Sequence, residues 1–397
     1  MIVFRSGIVR ETVAALLIGL ALLGGCASQG PIQHPRGADA GAARHTEQVD
    51  SKVLDLHHLT DLDAIMPALA RQRVVCVGEL HDRYSHHLNQ LEIIRRLHQV
   101  HPDLVIGMEY FQTPFQPYLD AYVAGDLDER AFLDKTEYYQ RWKFDYRLYR
   151  PILDYAREHR IPLIALNIPR EITEKVSRSG ISGLTQAEAA MIPQELDRSD
   201  ARYRQRIKEI FAQHPNGDHK GFEHFFEAQL LWDEGMADTA ARYLKEHPQA
   251  HMVILAGSGH LIYGSGIPLR LARRLGTTHI PVVLNGINAT LERDMADYIL
   301  LSRPVELPPP GRLGIYMKDA EGGGAAVSAF SKDSAAQAEG MEQGDRILAI
   351  DGARIRAAAD VHLALLDKSP GESVRLEVQR ATQAGGAHAL EFEVNLR

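Results

Sequence analysis

Four apolar runs along the chain each end by presenting a polar, chemically capable residue. Val74-Val75-Cys76-Val77 leads into Gly78-Glu79-Leu80-His81-Asp82, and Leu104-Val105-Ile106 leads into Gly107-Met108-Glu109. Residues 161–166 lead into Asn167, and residues 252–256 lead into Gly257-Ser258-Gly259-His260. Short β-rich runs bounded by glycine read as buried strands. Helical spacing predicts helices over 61–70, 85–100, 146–160 and 267–275. It also predicts a long helical insertion over 185–246, where Phe222, Phe225, Phe226, Gln229, Trp232, Asp233, Met236 and Tyr243 recur at that spacing. Residues 280–285 predict one more strand. Strands alternating with helices predict an α/β class, a mostly parallel sheet flanked by helices. In such sheets ligands lie outside the carboxyl ends of the strands. Four strands ending in Glu, His or Asn therefore define one candidate site.

The pattern changes after Pro304. Residues 305–311 are proline-rich and predict a stiff extended linker. Beyond it, short β patterns at 314–317, 326–330, 346–350, 374–379 and 390–394 surround one helix near 360–366. This predicts a second, β-rich domain over 312–397, after a main domain over 53–304. Residues 27–52 lack periodicity and read as a flexible tether.

Composition narrows the setting. The chain has 397 residues and a net charge of −8, so no basic face invites nucleic acid. Its two cysteines are Cys26 and Cys76. Arg5 and Arg10 precede an apolar run over 13–23, shorter than the roughly 20 residues that a spanning helix needs. A basic start followed by a short apolar core reads as a secretory signal. Leu23-Gly24-Gly25-Cys26 has the pattern of a bacterial lipobox, so residues 1–26 read as a lipoprotein signal peptide and Cys26 as the lipidated membrane anchor. Ala27 after it favours the outer membrane, with the protein facing the periplasm of the cell envelope. Cys76 sits inside a β-branched strand and reads as a small buried hydrophobe.

Glu79, His81, Glu109 and His260 arrive from three of the strand exits. Two carboxylates and two imidazoles can hold a divalent metal ion through N and O donors, or work as an acid/base pair. His86 and His87 open the next helix after Ser85, a suitable cap, and either can join the same cavity or stay structural. Asp233 interrupts an apolar stripe and needs a partner, a site histidine or an arginine. Tyrosines are dense between 110 and 155: Tyr110, Tyr118, Tyr122, Tyr138, Tyr139, Tyr146, Tyr149 and Tyr155. Tyrosinate can ligate ferric haem iron, and most of these must still be packing residues.

Several of these segments together resemble the ChaN-like haem-binding lipoproteins. The match runs through Gly78-Glu79-Leu80-His81-Asp82, His86-His87, Gln90 and Gly107-Met108-Glu109-Tyr110-Phe111. It continues through Trp142, Tyr146, Tyr149-Arg150-Pro151-Ile152, Ala165-Leu166-Asn167-Ile168-Pro169-Arg170, the stretch 229–237 around Asp233, and Ala256-Gly257-Ser258-Gly259-His260. The resemblance covers about residues 70–290. It implies an iron-regulated surface lipoprotein that binds haem, held between two subunits of a homodimer with tyrosine as axial ligand. Tyr110, Tyr146, Tyr149, His86, His87, Asn167 and Asp233 are then the candidate cofactor contacts. The wider group with this fold includes Tiki-type metalloproteases and erythromycin esterases, in which such strand exits form the catalytic centre. Metal-dependent hydrolysis at Glu79, His81, Glu109 and His260 therefore stands as the alternative.

The C-terminal domain resembles a bacterial PDZ domain through the run 340–352, Gly-Met-Glu-Gln-Gly-Asp-Arg-Ile-Leu-Ala-Ile-Asp-Gly. The resemblance makes Arg312-Leu313-Gly314-Ile315 the loop that captures a peptide C-terminus. An added peptide strand would lie beside Leu313, Gly314 and Ile315 and the Val361/Leu365 face of the helix. A third reading follows, a periplasmic scaffold whose PDZ domain supplies the activity that matters.

Overall fold

Odd and even positions of the central strands face two different cores. Along β1 (Val74–Glu79), Val75 and Val77 join one apolar cluster, while Val74 and Cys76 join the other. Strand side chains alternate between faces, and a parallel sheet needs both faces covered. The computed structural model describes residues 56–213, 219–286, 291–382 and 386–397. The signal segment, Cys26 and the tether lie outside these residues.

β1 is followed by β2 (Leu104–Gln112), β3 (Leu163–Asn167), β4 (His251–Gly257), β5 (Val282–Asn285) and β6 (Tyr298–Leu300). They form a sheet in the order β3-β2-β4-β1-β5-β6, and every pairing is parallel. Helices Tyr84–Val100 and Arg150–His159 cover one face through Leu91, Ile94, Leu97, Ile152 and Leu153. Helices His219–Glu246 and Ile267–Leu275 cover the other through Met236, Ala240, Leu244, Ile267 and Leu271. Among the described residues, no helix is long and apolar enough to cross a membrane.

Three expectations shift. β2 runs on to Gln112, so Glu109 lies inside a strand and not at its end. The helix expected from 146 starts at Arg150, after a separate 3-10 turn, Tyr146–Leu148, that the Asp145 carboxylate caps at the Arg147 N–H. Pro151 suits the first turn of the helix that follows. The insertion contains two long helices, Ala201–Ala212 and His219–Glu246, preceded by the short turn Gln186–Ala189. β6, with three residues, had no sequence signal.

The second sheet is antiparallel: β7 (Ile315–Asp319), β8 (Ala325–Phe330), β9 (Arg346–Ile350), β10 (Ala353–Arg354), β11 (Ser373–Ala381) and β12 (Ala387–Asn395). Its order is β12-β11-β9-β8-β7, with β10 on β9 and β7 at the edge. Helix Ala358–Ala364 packs on its own core through Val361. Both sheets belong to one compact unit, Lys52–Arg397. Leu366, just beyond that helix, is buried in the main domain's apolar core. Arg150 reaches Asp367 at 2.7 Å, and Arg356 pairs with Asp134.

Candidate functional site

Parity along the strands decides which side of the sheet each carboxylate serves. Glu79 follows Val75 and Val77 and turns toward the tyrosine-rich core, while Glu109 follows Val105 and turns toward helix His219–Glu246. The two meet over the carboxyl edge of the adjacent strands β2, β4 and β1.

Glu79 is fully buried and surrounded by donors. Nδ1 of His81 lies 2.8 Å from its Oε1, and Nδ1 of His87 lies 3.2 Å from its Oε2. The Tyr110 hydroxyl donates to Oε2, and the Tyr149 hydroxyl lies 3.4 Å from Oε1. Burial opposes ionisation, but the charge and hydrogen bonds of His87 and His81 prevail and hold the carboxyl below its ordinary range. Nε2 of His87 faces the His81 carbonyl at 3.1 Å, so both of its ring nitrogens meet oxygen acceptors. That environment asks for both protons. Burial pulls the His87 pKa down, and the Glu79 charge outweighs it, leaving the net shift upward.

On the other face, Oε2 of Glu109 accepts the Gly257 N–H at 2.7 Å, and its Oε1 lies 3.4 Å from Nε2 of His260. Nδ1 of His260 lies 2.6 Å from Oδ1 of Asp233, whose Oδ2 accepts the Tyr203 hydroxyl at 2.6 Å. Burial lowers the His260 pKa, but Glu109 and Asp233 reverse this and raise it to about 10. Against burial, His260 pulls Glu109 and Asp233 below the usual carboxylate range.

His81 joins the two halves. With Nδ1 on Glu79, its Nε2 faces the cleft. A methyl group on Gly257 would stand 2.9 Å from that Nε2 and 3.6 Å from Oε2 of Glu109, so the bare α-carbon preserves the space between them. The His81 ring meets Trp142 edge-on at 4.8 Å and Phe144 at 4.9 Å, both partly exposed, which gives the cleft an aromatic wall. Two imidazoles are each held at Nδ1 by a buried carboxylate; His260 turns Nε2 toward Glu109, and Nε2 of His81 borders the same space beside Gly257. Carboxylates commonly fix metal-binding imidazoles in this way.

A family model for haem-binding uptake, Tiki superfamily, ChaN, matches residues 65–271, more than half of the chain and all of this cleft. The chain belongs to this family. A PDZ-domain model matches residues 311–396. A curated relative, Protein RETICULATA-RELATED 5, chloroplastic, from Arabidopsis thaliana, is 24% identical over 247 residues, covering 56% of this chain and 32% of that protein. The chain thus spans about a third of that relative's length. A solved structure described as cofacial heme binding to ChaN of Campylobacter jejuni is similar with a TM-score of 0.49 and 18% identity, over 60% of this chain and 91% of that one. The HtrA3 PDZ domain bound to a phage-derived ligand is 23% identical, with a TM-score of 0.19, over 22% of this chain and 85% of that one.

Within this ChaN-type domain the sequence-predicted residues divide sharply. Glu79, His81, Glu109, His260 and Asp233 converge, and Asp233 takes the histidine as partner. Tyr110, Tyr146 and Tyr149, the candidate cofactor contacts, are buried. Burial pushes all three phenols well above their ordinary pKa. Tyr110 and Tyr149 hold Glu79, and Tyr146 packs edge-on against Tyr138. His87 is likewise a support for Glu79. His86 accepts the Leu80 N–H on Nδ1 at 3.0 Å, and burial lowers its pKa to about 4, so it pins the β1 exit as a neutral ring. Asn167 donates from Nδ2 to the Glu109 carbonyl at 3.2 Å, leaving its buried Oδ1 without a partner.

Tyr203 and Arg206 were missed. Arg206 donates to the Gly259 carbonyl at 2.7 Å and to Oγ of Ser265 at 2.8 Å, fixing the loop that carries His260. Both sit on helix Ala201–Ala212, where a polar residue carries no mark of the distant loop it will meet. A separate group, His101, Asp103 and His251, gathers at the opposite edge of the sheet. Its two imidazoles stack at 3.6 Å and 17°, so their in-plane lone pairs lie in nearly parallel planes and do not converge on one ion.

In the PDZ domain, Gly314 takes a φ of 73°, a left-handed turn suited to glycine. Leu313 and Val361, expected along the peptide groove, are buried in that domain's core. Ile315 and Leu365 remain partly exposed beside it.

Proposed function

We propose that the protein is a bacterial envelope lipoprotein, anchored to the outer membrane through Cys26, that binds haem at the Glu79–His260 cleft and a peptide tail at its PDZ domain. The carrying observation is that the haem-binding family model spans residues 65–271 and with them every cleft residue. The donor chemistry fits the cofactor. With Nδ1 of His81 engaged by Glu79, Nε2 is the nitrogen left for iron, and Trp142 and Phe144 offer flat apolar surface beside it. Bound haem would bring its own iron chemistry, and the chain's part is to hold and orient it.

The test is an absorbance titration of residues 27–397 with hemin. A saturable, shifted Soret band is expected, at one haem per chain or per pair of chains, the second ratio marking a shared homodimer site. His81→Ala should weaken it by about tenfold or more, about 1.4 kcal/mol. Binding that does not saturate overturns the reading.

One observation favours a second reading. Each cleft imidazole has a carboxylate behind Nδ1, and His260 turns Nε2 toward Glu109 while His81 Nε2 borders the same space, N and O donors of the kind that hold a divalent ion which activates water. Stoichiometric metal that disappears in both His81→Ala and His260→Ala, with ester or peptide hydrolysis lost in parallel, would select metal-dependent hydrolysis.

A further inference from the structure

The free edge of the PDZ sheet runs into the main domain. β7 is an edge strand, and its far end, Met317, Lys318 and Asp319, joins Ala358, Ala359 and His362 in lining a cavity of about 560 Å³. The opposite wall belongs to the main domain, with Arg141, Lys143 and Arg170 among its residues. The junction is well anchored: His362 stacks on Tyr139 at 5.0 Å, Leu366 is buried in the main core, and Arg150 pairs with Asp367.

We propose that this composite cavity reads the residues upstream of a bound peptide's C-terminus and selects an acidic side chain there. The inference rests on the peptide-binding reading of the PDZ domain and extends it. A peptide whose carboxylate sits at Leu313–Ile315 would run antiparallel to β7. At about 3.3 Å per residue, its fourth or fifth residue from the end reaches Asp319 and the cavity. Charge decides what is welcome. Arg141 is paired with Glu137 and Glu171 and Arg170 with Glu174, so these charges answer one another, while the Asp319 carboxylate keeps its charge and is tied to its own domain by the Ala358 N–H. Lys143 and Lys318, both exposed, have no ion-pair partner among the described residues. Both line the cavity, one from each domain, and an aspartate or glutamate bound there would be drawn to them.

The experiment selects random heptapeptides, displayed with free C-termini, on the immobilised full chain. The expected result is an apolar preference in the last positions together with enrichment of Asp and Glu three to six residues upstream, about fivefold as suits exposed charge pairs. In the double variant Lys143→Glu/Lys318→Glu the upstream preference should reverse toward Lys and Arg, with the last positions unchanged. Both sites are exposed, so the fold should persist, which a thermal melt checks. A C-terminal preference with no upstream charge preference overturns the composite cavity and leaves peptide binding standing. No preference at the last positions overturns both.

Discussion

The carboxylate of Asp233 lies 2.6 Å from Nδ1 of His260, across 27 residues of sequence. It arrives from helix His219–Glu246 and the imidazole from the turn after β4, and neither is free to leave, because Tyr203 holds the carboxylate and Arg206 the turn. Glu109 then takes the other nitrogen. An imidazole held largely out of solvent between two carboxylates is stable as a set and costly to break singly. Asp233→Ala should therefore destabilise the protein by about 3–5 kcal/mol, because it strands a buried charge. Asp233→Asn, which keeps the shape, should cost less. Urea denaturation of both variants measures the difference, and equal small losses would contradict the pairing.

Gly257→Ala isolates the space in the cleft. Gly257 has a φ of −56°, which any residue adopts, so only contact matters. The new methyl would press on Cε1 and Nε2 of His81 at 2.9 Å. Overpacking of this kind costs about 1–3 kcal/mol. The sharper effect should fall on ligand binding, with hemin affinity down by about tenfold, about 1.4 kcal/mol. Unchanged hemin titrations would remove the His81 Nε2 face from the binding site.

Tyr110→Phe and Tyr149→Phe test whether these phenols support a carboxylate or ligate iron. Each removes a hydroxyl directed at Glu79, and loss of a hydrogen bond to a charged group costs about 1.5–3 kcal/mol. The hemin Soret band should persist in both variants. Its disappearance from either one, with the fold intact by circular dichroism, would restore tyrosinate ligation.

Stability should fall at both ends of the pH scale. Glu79, Glu109 and Asp233 have folded pKa values below their ordinary ones, so their contribution is present above about 4.5 and lost as acid protonates them. His260 is raised from 6.5 to about 10, so its contribution is complete below 6.5 and lost as pH climbs through 10. The groups packed around it are Glu109, Asp233, His81 and Trp232. Urea midpoints from pH 3 to 11 should form a plateau with both shoulders, and His260→Gln should flatten the alkaline one.

Much of this was legible in the chain itself. Apolar runs of four to six residues ending at glycine or asparagine marked β1, β3 and β4, because a strand buried on both faces must be apolar at every position. Which side of the sheet Glu79 and Glu109 each serve was not legible, because a run apolar at every position carries no alternation and the facing of one strand against another depends on register. The ChaN-type and PDZ segments were likewise written as contiguous motifs. What the sequence by itself determined was therefore local: element type and motif. Tertiary structure alone decided the rest. It turned Tyr110 and Tyr149 inward onto Glu79, brought Tyr203 and Arg206 to the His260 loop, and put Lys143 and Lys318 on one cavity. Those partnerships join residues tens to hundreds of positions apart. They depend on strand order and helix packing, which act through space and leave no periodic trace along the chain.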